Sequence, residues 1–229
     1  VRSGSGIYSW GQKLLPAARY GYTPADFFET GHVYTNAVTV SGGTDKNQTY
    51  FSAASVNSDG IIPNNEYDRY NFTFRDVTKF LKDKLTVDLS ASYILQDNKN
   101  MIAAGKYFNP LPALYLFPRG DDFDNVRLYQ RWDESRNLYT QAWDYGSGDM
   151  SFQNPYWIMN KMINQTKKRR YMLSANLKYD VTDWLDVTGR VKVDNADMDI
   201  TEKRYAGTDT NFAGEKGMYS IIKRNDRQI

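Results

Sequence analysis

The 229-residue sequence contains no cysteine and one histidine, His32. These absences remove disulfide frameworks, thiol catalysis and Cys/His zinc centres, and leave any Ser-His-Asp arrangement dependent on His32 alone. His32 follows Thr30 and Gly31 in a turn-like stretch, where a histidine reads as structural or solvated rather than as a base. No excess charge of one sign is present either. Lys and Arg number 29 against 27 Asp and Glu, a net charge of +2, too balanced to argue for nucleic acid.

Long apolar runs are also missing. The longest, Leu111 to Phe117, is interrupted by Pro112 and falls far short of the ~20 residues a membrane helix needs. The opening residues show no basic stretch followed by an apolar one, so no signal peptide is expected. "GGTDKN" lacks the Gly-Lys-Ser/Thr ending of a phosphate loop. In "GDDFDN", Asp121, Asp122 and Asp124 do not have EF-hand spacing and read as an acidic cluster at a helix start. No residue pair makes a catalytic assignment. An enzyme is not expected, and neither is a cofactor or a metal.

What the sequence has in excess is aromatic residues, 15% of the chain including 18 tyrosines, and alternation with a period of two. Leu85, Val87, Leu89, Ala91 and Tyr93 share one face of a strand, and Thr86, Asp88, Ser90 and Ser92 the other. Leu173 to Tyr179 and Leu185 to Asp194 repeat the pattern, as do Tyr70, Phe72 and Phe74 against Asn71, Thr73 and Arg75. Val33 to Ser41 and Gln48 to Asn57 add two strands, and Met218 to Lys223 a weaker seventh. "RYNFTFRDVTKFLKDKLTVDLSAS" from Arg69 is echoed by "RYMLSANLKYDVTDWLDVTGRVKV" from Arg170, one hairpin design used twice.

Connections alternate in length. Short turns at Gly42 to Asn47, Thr78 to Asp83 and Asp180 to Asp183 fall at one end. Long connections at Ser58 to Glu66, Gln96 to Lys168 and beyond Asp199 fall at the other. The chain therefore divides into a loop and short helix (1–32, with Thr23 as N-cap and Pro24 at the first helical position), strands with short turns (33–96), a long loop (97–168), and further strands and loop (169–229). Within the long loop, "DDFDNVRLYQRWDESRNLYTQ" and "NPYWIMNKMINQ" are each expected to carry a helix of two or three turns.

Alternation suits both a soluble β-sandwich and a membrane barrel, because each has one apolar face. Aromatics at strand ends favour the barrel: Phe80 and Trp184 lie beside the short turns, and Tyr67, Tyr70, Tyr93 and Tyr171 toward the long loops, like the girdles at the two membrane interfaces. Eight steps from Leu85 to Tyr93 at ~3.4 Å, tilted by ~40°, rise about 20 Å, close to the ~25 Å apolar band of such barrels. The fold expected is an all-β, antiparallel transmembrane barrel, partial in this chain, with long extracellular loops.

"VSGGTDKNQTYFSAASVNSDGIIPNNEYDRYNFTFRDVTKFLKDKLTVDLSASYI" resembles the barrel region of the SusC/RagA family of TonB-dependent outer-membrane transporters of Bacteroidetes. "YSWGQKL" and "DFFETG" upstream are also similar to family segments, and the hairpin from Arg170 has the family's repeated style. The likeness is dense from about Ser9 to Asn98, returns from Lys168 to Val193, and is weak in the long loop and the C-terminal tail. It implies a barrel of about 22 strands with a plug, in the cell outer membrane. Its expected work is importing glycans, oligosaccharides or oligopeptides, with a SusD-like surface lipoprotein and TonB as partners. Plug and TonB segment have no counterpart here, so the resemblance makes this chain one portion of a transporter. The alternatives are a soluble carbohydrate-binding β-sandwich and a non-transporting outer-membrane adhesin or structural barrel.

Two groups of residues are candidates for contact. Aromatic rings stack on sugars, pack on partner proteins and hold loops folded; Trp132, Tyr139, Trp143, Tyr145 and Trp157 in the long loop are the candidates for substrate or the SusD-like partner. "KKRR", Lys167, Lys168, Arg169 and Arg170, is too short a block to signal nucleic acid. Where a strand enters the membrane from the long-loop side, it is a candidate for the phosphates of lipopolysaccharide, and a solvated charge run is the competing reading.

Overall fold

Alternating residues become two chemically distinct faces once strands pair in register, and seven long strands do so here. A computed structural model describes residues 23–117, 121–144 and 152–229. In chain order the elements are β1 (His32–Gly43), β2 (Asn47–Asp59), β3 (Glu66–Phe80), β4 (Leu85–Lys99), α1 (Pro110–Leu116), α2 (Asp124–Arg127), β5 (Gln130–Asp133) and β6 (Leu138–Gln141). Then come α3 (Pro155–Lys161), β7 (Met162–Thr182), β8 (Leu185–Arg204), α4 (Thr210–Ala213) and β9 (Met218–Gln228). The sheet order is β1-β2-β3-β4-β7-β8-β9, every pairing is antiparallel, and β5-β6 form a separate hairpin. The sheet is an open meander whose edges are β1 and β9.

One transverse row reads Val40, Phe51, Phe74, Ala91, Leu173 and Val193. The row beside it on the opposite face reads Ser41, Tyr50, Arg75, Ser90, Ser174 and Lys192. An apolar row therefore runs unbroken from β1 to β8, and no described residue covers it: Phe72, Phe74, Leu89, Leu173, Leu177 and Val191 remain 41% to 62% exposed. A sandwich would bury such side chains against a second sheet about 10 Å away. Among the described residues the only other sheet is the β5-β6 hairpin.

The packed core lies in the connections. Phe27, Ile62, Leu114, Phe123, Trp157 and Met159 belong to one buried cluster. α1 and α2 pack on α3, and α3 on the start of β7, so the cluster sits at the long-loop end of the sheet.

Several boundaries differ from the sequence reading. β4 continues to Lys99 and β7 begins at Met162, so the long connection is 100–161 rather than 97–168. The added lengths are held by polar cross-strand pairs such as Lys99 with Glu66 at 2.6 Å and Lys167 with Asp97 at 3.6 Å, which apolar periodicity does not register. The stretch after Asp121 forms only the single turn of α2 before it becomes the β5-β6 hairpin. There the Asp133 carboxylate accepts hydrogen bonds from Ser135 N (3.0 Å), Ser135 Oγ (2.6 Å) and Arg136 N (3.2 Å). Asn137 adopts φ 51°, left-handed geometry that asparagine tolerates. Side chain-backbone bonding of this kind competes with a helix. The helix expected after Thr23 is a single 3-10 turn, Pro24–Phe27, with Thr23 N donating to Asp26 Oδ2 at 2.9 Å. α3 forms where "NPYWIMNK" places it.

Candidate functional site

Register decides how "KKRR" is presented. The four residues lie inside β7, the first of them five residues past its start at Met162 beside the cap, not at a strand mouth. Arg169 pairs with Leu95 and Lys167 with Asp97, in line with the apolar face, whereas Arg170 pairs with Ile94 and Lys168 with Gln96, in line with the polar face. A single basic patch is therefore absent: a period of two splits the block into two pairs on opposite sides. On the apolar side, Lys167 meets Asp97 at 3.6 Å and Arg169 meets Asp199 at 3.1 Å. On the polar side, Arg170 grips Asp194 through two donors, Nε at 2.8 Å being one. The lipid-contact assignment is corrected accordingly. Only Lys167 and Arg169 share the apolar side.

A groove of about 280 Å³ opens there, bordered by Tyr70, Leu95, Asp97, Lys167, Arg169 and Asp199. Tyr93 and Tyr171 pair directly across β4 and β7, one step below Leu95 and Arg169 on that face. The aromatic row expected at this height is thus assembled from Tyr70, Tyr93 and Tyr171. Tyr67 is not part of it, since its register with Asn98 puts it on the polar face.

The loop aromatics separate by burial. Trp132 and Tyr139 pair across the β5-β6 hairpin with centroids 5.2 Å apart at 72°, and are 49% and 53% exposed. Arg131 beside them is bridged to Asp144 at 3.0 Å. Trp143 packs against the loop core. Trp157 is 1% exposed, and its indole Nε1 donates to Thr208 Oγ1 at 3.0 Å. Trp157 is a core residue with its polar atom already used, which corrects its assignment as a contact residue. Tyr145 lies outside the described residues.

Sequence reasoning overlooked the residue that organises this cap. Asn154 has no exposed surface and uses its whole carboxamide. Nδ2 donates to the carbonyls of Val126 (2.8 Å) and Ala142 (3.0 Å), and Oδ1 accepts from Tyr156 N (2.9 Å) and Trp157 N (3.3 Å) at the start of α3. The signal was present in "NPY", an N-cap asparagine before proline. Next to it, burial pushes the Tyr156 phenol above its ordinary pKa, with Arg127 opposing that shift.

Among the described residues no group of His, Asp or Glu is placed to hold a metal ion, and no helix is long and apolar enough to cross a membrane. Comparison with models of known protein families gives no match, and comparison with curated proteins gives none.

Proposed function

We propose that this chain is part of the wall of a SusC/RagA-like outer-membrane transporter. Its seven strands would be one sector of a larger barrel through which glycans or oligopeptides are imported. The carrying observation is the apolar row that crosses six of the seven strands, β1 to β8, and that no described residue covers. Lipid is the solvent that suits such a face, and the two open edges would need further strands, since unpaired edges are prohibitive in hydrocarbon. Short turns at one end and a folded cap at the other agree with periplasmic and extracellular ends. Trp132 and Tyr139 would offer ring faces to substrate or to a SusD-like partner. Lys167 and Arg169, just above the tyrosine row, would meet lipopolysaccharide phosphates. TonB would supply the energy for import.

Heat-modifiable electrophoretic mobility and extraction only by detergent are the expected behaviour of the native full-length protein. Folding and solubility without detergent would overturn the membrane reading and return the sandwich to first place.

A further inference from the structure

We infer, building on the transporter reading, that the cargo is an acidic oligosaccharide guided by cations on the polar face of β7 and β8. On that face most carboxylates are already engaged: Lys178 holds Asp180 and Arg204 holds Glu202, while Asp186 and, on β9, Asp226 form no ion pair among the described residues. Asp88 is held by Arg75 at 3.0 and 2.8 Å, and Asp194 by Arg170. Arg190, Lys192 and Lys168 stand near these two carboxylates but form no ion pair among the described residues. Register places Arg190 across from Asn176, Lys192 across from Ser174, and Lys168 across from Met198. The cations are thus spread along the strand direction rather than gathered at one point, with Arg190 and Lys192 about 7 Å apart on one strand.

Spread cations suit an extended polyanion better than a compact one, because each charge can meet successive anionic groups. The surface between them bears hydroxyls and amides: Ser90 and Ser174 share a hydrogen bond of 2.7 Å, and Asn176 lies one step below. These groups can pair with the many hydroxyls of a sugar, each of which both donates and accepts. At the height of Arg190 and Lys192 the opposite face of these strands offers Leu89, Ala175, Val191, Leu173 and Val193 instead. With most carboxylates paired to other cations, Lys168, Arg190 and Lys192 leave a positive surplus on this face, which raises the local concentration of an anionic ligand.

The test uses the full-length protein in detergent, with fluorescent oligogalacturonate, a neutral cello-oligosaccharide of equal length and oligoglutamate as probes. The expected result is that oligogalacturonate binds on the order of tenfold or more tighter than the neutral sugar, that this margin collapses as salt rises to about 0.5 M, and that Arg190→Gln/Lys192→Gln/Lys168→Gln abolishes it. Equal binding of acidic and neutral sugars, or a salt-insensitive margin, overturns the inference, and neither measurement needs the variant to fold. Tighter binding of oligoglutamate than of oligogalacturonate overturns the sugar assignment. Heat-modifiable mobility measured on the same samples reports the barrel independently, so loss of the cargo inference and loss of the transporter reading are distinguishable.

Discussion

Replacing Asn154 by alanine should dismantle the loop cap while leaving the sheet intact. The substitution removes an N-cap, worth about 1 kcal/mol, and strips donors from the buried carbonyls of Val126 and Ala142, each costing roughly 1–3 kcal/mol when left unsatisfied. Together these give about 3–7 kcal/mol, borne by α3, α2 and the end of the β5-β6 hairpin, because all four partner atoms belong to that cap. Asn154→Asp is a sharper companion. It keeps the oxygen that caps α3 but sets a carboxylate against two carbonyls, so it should be no milder than alanine. Hydrogen exchange read by peptide reports both. Amides of α3 should exchange at least about a hundredfold faster, since each 1.4 kcal/mol is a factor of ten, while β3 and β4 keep their protection. Less than a tenfold change in α3 would refute the claim that this carboxamide organises the cap, and equal loosening of β3 and β4 would refute its independence from the sheet.

Trp132→Ala/Tyr139→Ala should weaken oligosaccharide binding to the full-length protein with under about 1 kcal/mol lost in cap stability, since both rings are largely exposed; Trp157→Ala, at a buried site, should cost about 3–5 kcal/mol in the cap instead. The hydroxyl of Ser135, then the Ser135 and Arg136 amides, hold the Asp133 carboxyl below the usual aspartate range. A depressed folded pKa means that the hairpin gains from ionised Asp133 above the unfolded value near ~3.9 and loses this gain as pH falls through the folded value. Trp132 fluorescence should accordingly stay flat from pH 7 to about 4 and change only below it; a transition near pH 6 would show that another group governs the tip.

The sheet was legible because burial chemistry and pleat share one period. Leu85 to Tyr93 and Leu173 to Tyr179 announce a common face, and register does align Leu89 with Ala175 and Ala91 with Leu173. Periodicity of apolar residues goes silent where strands continue in polar dress. Lys99 with Glu66 and Lys167 with Asp97 extend the ladder without an apolar alternation to mark it, and "KKRR" looked like a patch because the strand beneath it went unseen. Burial of single aromatics was illegible for another reason. Trp132 and Trp157 are the same residue type in the same loop, and only tertiary contact decides that one lies open on a hairpin and the other is closed over Thr208.

Strand length carries the membrane reading one step further. β7 has 21 residues, which at ~3.4 Å per residue and a tilt of ~40° rise about 55 Å, roughly twice the ~25 Å apolar band of an outer-membrane barrel. Its apolar alternation occupies only Tyr171 to Tyr179, about 20 Å on the same scale. On that reading Met162 to Arg170, nine of the 21 residues, would stand in water above the bilayer, with no lipid to enforce the ladder there. Ion pairs on the side of the apolar row, Lys167 with Asp97 and Arg169 with Asp199, tie adjacent strands in that region, although exposed pairs contribute only ~0–1 kcal/mol each. Greater constraint comes from the cap, where Asn100 at the end of β4 donates to the carbonyls of Asn64 (3.1 Å) and Met159 (3.0 Å) and accepts from Asn164 N (3.1 Å) at the start of β7. The folded cap thus clamps the free upper ends of β4 and β7, which explains why a buried core is found in the loops of a chain whose sheet has none.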